Sequence, residues 1–267
     1  MEVFRASGAG IADLNQWIGR VFRPFFALPG AFEKAVEAAF VQARADGVSR
    51  LEMSIDVCFG TMFHVSSDHI VAVLKHCHQT VAPEIDFRPE LGFSRSVPAD
   101  TLMAAFEQFL HYHYFRSVDL YDDEFAQPVG NFKTLYRYAR EQGLKCKAHA
   151  GEFGSADSVR EAVETLQLDA VQHGISAADS REVMKWLADN RIPLNVCPTS
   201  NIKLKVVKSF RVHPVRILAD HGVQVSVNTD DALVFGDGVS EQYLKLYKAG
   251  VFSAAELDII RQNGLEI

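Results

Sequence analysis

Two short stretches hold side chains that bind metals or move protons. Lys147-Ala148-His149-Ala150-Gly151-Glu152 follows a strand-like run from Gly143 to Lys147, and Asn228-Thr229-Asp230-Asp231 follows another from Val223 to Val227. A histidine, a glutamate three residues later and a distant Asp-Asp pair point to a metal-activated water with a proton carrier beside it. Such a site usually calls for two more histidines, and the sequence does not supply them where they should stand.

Each residue has a plainer role to set against this one. A neutral imidazole at a strand end, as at His149, is a good zinc ligand, but a lone histidine is more often a hydrogen-bonded structural group. Glu152, His173 and Asp230 at the same rim shift the balance toward chemistry. Glu152 stands just past the turn at Gly151; in a partly dry cleft its pKa would rise and it could serve as acid then base. Otherwise it is a helix N-terminal glutamate favoured by the dipole. His173, in Val171-Gln172-His173-Gly174-Ile175, ends the next strand and could bind metal or polarise a water. Asp230 and Asp231 could face a metal and a substrate respectively, or act as turn and N-cap residues. Two His-x-His patterns are decoys: His76-Cys77-His78 lies at the end of a helical segment, and His111-Tyr112-His113 precedes a strand and so belongs near the opposite mouth. His64 is nearer the functional mouth but has no companions.

The elements that must position these residues alternate almost without interruption. Strand-like runs cover Arg50–Phe59, Glu84–Leu91, Ser117–Leu120, Leu144–His149, Ala170–His173, Pro193–Cys197 and Gln224–Asn228. Between them are helical faces, such as Phe32, Val36, Ala39, Phe40 and Ala43, and Leu102, Met103, Phe106, Phe109 and Leu110. Repeated β-then-α units imply parallel strands with right-handed crossovers. Polar residues gather at the strands' C-terminal ends, where a (β/α)8 TIM barrel carries its site. Seven strands are visible, one short of a closed barrel. An open doubly wound sheet is the alternative, but its Gly-rich phosphate turn is poorly matched by Cys58-Phe59-Gly60-Thr61.

The chain has 267 residues, a size that suits a single barrel domain spanning 1–267. Apolar residues make up 48% and charged residues 23%, and the net charge is −7 without any long basic run, which argues against nucleic-acid binding. No apolar run is long enough to span a membrane, and Met1-Glu2-Val3-Phe4-Arg5 lacks a signal-peptide pattern. Cys58, Cys77, Cys146 and Cys197 have no paired spacing and read as reduced, buried residues of a cytoplasmic protein.

The chain resembles the adenosine deaminase family of metal-dependent amidohydrolases. His149-Ala150-Gly151-Glu152, His173-Gly174, Cys197-Pro198-Thr199-Ser200-Asn201 and Asn228-Thr229-Asp230-Asp231 carry the match, with weaker support from Asp119-Leu120 and Asp123-Glu124. The resemblance implies hydrolytic deamination of a purine or related aminated heterocycle, with zinc lowering the pKa of a bound water. It implies that His149 and Asp230 are metal ligands and that Glu152 protonates the ring nitrogen beside the amino-bearing carbon. By the same resemblance His173 orients the attacking water, and Asp231, Asp122 and Gly151 lie at the substrate. Binuclear relatives use a bridging lysine on a strand that here reads Ser117-Val118-Asp119-Leu120, which favours one metal. Two departures stand out. The family's first strand, ending in His-x-His, has no counterpart, and the sequence looks truncated at both ends, with exposed strand edges as a consequence. The alternatives are a truncated or non-catalytic chain that binds a nucleobase-like ligand without turnover, and another amidohydrolase reaction such as hydrolysis of a cyclic amide or ester, against which Glu152 argues. Asp122 stands where members acting on adenosine usually have glycine, and Tyr121 replaces a usual small residue, which implies another substrate.

Overall fold

The computed structural model describes residues 10–266. Seven strands form one parallel sheet: β1 Arg50–Asp56, β2 Asp86–Ser94, β3 Ser117–Tyr121, β4 Lys145–Ala150, β5 Ala170–His173, β6 Leu194–Val196 and β7 Val225–Val227. Their order in the sheet is their order in the chain. That is barrel winding; a doubly wound sheet reverses direction at a switch point. The first predicted strand overruns by three residues. At Asp56 the carboxylate turns back to accept the Cys58 N–H at 2.5 Å, and Phe59–Phe63 coils into a short helix. The second runs on to Ser94, beyond its predicted end.

The sheet is curled, and one ion group makes this plain. Lys147 Nζ lies 2.5 Å from Glu52 on β1 and 2.7 Å from Glu90 on β2. On a flat sheet β1 and β4 would stand about 14 Å apart, three strand spacings, so the bridge needs a concave inner face. Lys147 is buried beneath the rim, with its charge committed to these two carboxylates. Along β3 and β4, Asp119 registers with Lys147; along β4 and β5, Ala150 registers with His173. Alternation therefore carries the polar series up the inner face to His149 at the rim.

Helices cover the outer face. Ala31–Ala45, Ala99–Leu110, Ala156–Leu166 and Arg181–Asp189 form where the apolar periodicity predicts them. Ser155 and Ser180 cap the last two, accepting the N–H groups of Ser158 and Val183. Phe40, Phe93, Phe106 and Phe132 are fully buried between helices and sheet. A second, smaller core sits elsewhere: Leu14 and Trp17 of helix Ile11–Trp17 pack with Leu204, Val234 and Phe235. Helix Ala254–Glu266 lies on β7, where the Asn263 side-chain amide donates to the Val225 carbonyl at 3.1 Å, and its Leu265 carbonyl accepts from Arg50 at the start of β1. It thus touches both edge strands. Among the described residues no helix is long and apolar enough to cross a membrane.

Candidate active site

Four strand ends bring the site together. His149 stands one residue before the end of β4 and His173 is the last residue of β5. Asp119 is in β3, and Asp230 lies in the loop three residues past β7 rather than at the strand terminus itself. His149, His173 and Asp230 each offer a ligand atom, and the three atoms lie within 4.8 Å of one another; no other such trio occurs among the described residues. The imidazole rings are 4.9 Å apart at 54°. His149 and Asp230 are 21% and 19% exposed against 2% for His173, so the trio opens to solvent on the side of the first two.

Each donor is held from behind. Asp119 is buried and accepts from His149 Nδ1 at 3.1 Å, which leaves Nε2 for the mouth. Burial alone would lower the His149 pKa, but Asp119, with Asp230 and Glu152 beyond it, pushes it up to about 10. His173 has the opposite balance: burial pushes it down to about 4, so its ring is neutral. Its Nδ1 faces Glu152 at 3.5 Å and its Nε2 faces Asp230 at 3.8 Å. Both His173 and Asp230 adopt left-handed backbone, φ 62° and 57°, a conformation non-glycine residues rarely take.

Glu152 is buried in the loop between β4 and helix Ala156–Leu166. Ser155 caps that helix, so Glu152 precedes its first turn and is not an N-terminal dipole residue. Burial, reinforced by the negative charge of Asp230, holds its carboxyl well above the usual range, with His149 partly offsetting this. Its acid form is therefore favoured over that of an exposed carboxyl. Asn201 donates to Glu152 Oε1 at 2.8 Å, and Asn201 Oδ1 stands 3.3 Å from His213 Nε2. The loop is pinned by Glu124, whose carboxylate accepts the N–H groups of Gly151, Glu152 and Phe153 at 2.7–2.8 Å. Gly151 has φ 68°, and a Cβ there would stand 2.3 Å from Val159 and 2.4 Å from Ser176, so the turn requires glycine. Its N–H is engaged by Glu124 and its carbonyl by Ser176.

Asp122 also sits at the mouth with left-handed backbone, φ 81°; its carboxylate accepts from Ser94 Oγ at 2.6 Å and from the Asp123 N–H at 2.8 Å. Asp231 is exposed, and no side-chain cap bond is made to the short helix Ala232–Phe235 that it precedes.

The decoys lie apart. His78 Nε2 donates to the Ile85 carbonyl at 2.8 Å, and its ring stacks on Phe40. His113 lines a cleft with Phe109, Tyr114, Arg116 and Leu144 at the strands' opposite ends. His64 ends helix Phe59–Phe63. The cysteines are free; Cys77, Cys146 and Cys197 are buried, while Cys58 is partly exposed because β1 has already ended there. Four supporting residues escaped the sequence reading in whole or part. Asp119 and Glu124 had only the weak Asp119-Leu120 and Asp123-Glu124 matches, and Asn201 had a motif without a role. His213 had no signal, since it reaches the site from a long loop.

Residues 26–267 match the family model described as Adenosine deaminase. A Treponema pallidum (strain Nichols) protein bearing an adenosine/adenine deaminase name is 33% identical over 244 residues, covering 91% of this chain and 82% of that protein. The crystal structure of adenine deaminase from Arthrobacter aurescens aligns with a TM-score of 0.87 at 27% identity, covering 96% of this chain and 79% of that one. An amidohydrolase from Burkholderia ambifaria with bound Zn has a TM-score of 0.84 at 23% identity over 93% of this chain and 72% of its own, a likeness of fold. With the barrel winding, the rim constellation and a match over nearly its whole length, this chain belongs to the adenosine deaminase family.

Proposed function

We propose that residues 1–267 form one catalytic domain, a zinc-dependent aminohydrolase that replaces the exocyclic amino group of a purine base or nucleoside with an oxo group, consuming water and releasing ammonia. The observation that carries this reading is a buried Glu152 carboxyl, 3.5 Å from His173 Nδ1, beside the trio His149, His173 and Asp230. Family membership and relatives named for adenine and adenosine deamination support it.

The donor set suits zinc in type, two imidazole nitrogens and a carboxylate oxygen within 4.8 Å of one another. His149 and Asp230 would hold the ion, and His173 would face the same point. When bound, the metal supplies Lewis-acid activation of a water near neutral pH. Asp119 fixes the His149 ring through Nδ1 and raises its basicity as a ligand. His173, whose Nδ1 accepts from the Asn201 amide, would turn Nε2 toward the attacking water and orient it. Glu152, protonated and oriented by Asn201, gives its proton to the ring nitrogen beside the reacting carbon, so that negative charge does not build on the ring as the water oxygen adds. Asp122 and Asp231 are acceptors for donor groups at the far end of the heterocycle. Free cysteines fit a cytoplasmic setting.

The test is ammonia release from adenine, adenosine and a panel of purines and pterins, with metal measured by elemental analysis. Stoichiometric ammonia that a chelator abolishes is the expected result. Binding of a nucleobase without ammonia release would move the chain to the non-catalytic reading.

A further inference from the structure

Tyr121 ends β3, and its side chain reaches across the mouth. Its ring meets His149 edge to face, with centroids 6.3 Å apart at 61°. Its hydroxyl donates to Asp56, at the end of β1. The strand between them, β2, has glycine at this level. A Cβ on Gly92 would stand 2.9 Å from Tyr121 Cε1 and 2.7 Å from Ser54 Oγ, so the absent side chain is what lets the ring lie over β2. Asp122 and Asp231 stand close enough to act electrostatically on the same hydroxyl. Tyr121 is thus fastened at both ends: by its backbone in β3 and by a carboxylate two strands away.

A 6.3 Å edge-to-face pair is already in contact, so nothing of ring size passes between Tyr121 and His149. The reacting carbon must lie against Glu152 and the donor trio. The far end of the heterocycle then extends toward Tyr121, Asp122 and Asp231. Asp122 cannot swing aside easily, since Ser94 and the Asp123 N–H hold its carboxylate. A fixed carboxylate there rewards a ring N–H. A free base has that N–H, whereas a nucleoside has exchanged it for a glycosidic bond.

We infer that Tyr121 is a specificity-determining residue that shortens the pocket to the length of a free purine base and excludes the nucleoside. This rests on the purine-deaminase reading and narrows its substrate class.

The experiment is kcat/KM for adenine and for adenosine in the wild type, Tyr121→Ala, Tyr121→Phe and Asp56→Asn. The wild type should prefer adenine by at least about 100-fold. Tyr121→Ala should cut that preference at least about tenfold through a gain on adenosine. Tyr121→Phe retains the ring but loses the hydroxyl that fastens it, and should give a partial gain on adenosine, smaller than that of Tyr121→Ala. Asp56→Asn weakens the fastening, should give a smaller gain on adenosine, and carries the test if the alanine variant does not fold. Equal wild-type use of both substrates, or a proportional loss on both in the Tyr121→Ala and Asp56→Asn variants, overturns the inference and leaves the deaminase reading standing. Activity on no purine overturns the deaminase reading first, and this inference with it.

Discussion

The two ends of the barrel carry similar residues and differ in what surrounds them. At the far end and on the outer helices lie His76-Cys77-His78 and His111-Tyr112-His113, whose spacing suits a metal better than anything at the functional mouth. Yet His78 is bonded to a backbone carbonyl and stacked on Phe40, and no carboxylate converges on either pair among the described residues. At the functional mouth, His149 and His173 are 24 residues apart in sequence, but adjacent strands bring their rings to 4.9 Å, with Asp119, Glu152 and Asp230 around them. The difference teaches that spacing along the chain is weaker evidence than convergence of strand ends, because parallel strands deliver side chains from many segments to one rim.

The strongest test of this contrast is Glu152→Gln. It should lower turnover about 1000-fold while metal content stays near that of the wild type, since it removes a proton carrier and no ligand. Turnover within tenfold of wild type would falsify the assignment. Next, His149→Ala should strip most of the bound metal, whereas His78→Ala should leave metal content unchanged and cost about 1 kcal/mol of stability from the lost hydrogen bond. Elemental analysis and thermal melts on the pair read the contrast directly. A smaller effect is expected of Asp119→Asn, which keeps the shape but weakens the carboxylate behind His149: metal affinity should fall about 10- to 100-fold. If affinity is unchanged, Asp119 only shapes the wall. The smallest effect is a pH dependence. Because the Glu152 pKa is raised, its acid form extends to higher pH than that of a free carboxyl and is lost as pH rises through the elevated value, so kcat/KM should decline on the alkaline side. A flat alkaline profile would mean that the transferred proton comes from elsewhere.

Much of this was legible in the sequence. All the predicted strands are present, and their ends moved by three residues at most, because apolar runs bounded by turn residues mark buried parallel strands well. Boundaries slipped where a side chain intervened, as when Asp56 turned back onto Cys58. The site was legible where one segment carries its own motif, as around His149 and Glu152. It was not legible where a residue acts from a distance. Glu124 grips three N–H groups of a loop more than 25 positions away, and His213 reaches Glu152 only through Asn201. Local periodicity cannot encode such pairings.

The sequence by itself determined the barrel-type alternation, the family and the candidate residues, because these depend on local pattern and residue type. Tertiary structure decided their chemical states. Burial pushes the Glu152 carboxyl up and the His173 imidazole down, while His149 is raised because Asp119 arrives from the neighbouring strand. A pKa belongs to an environment, and that environment exists only once the strands have curled around it.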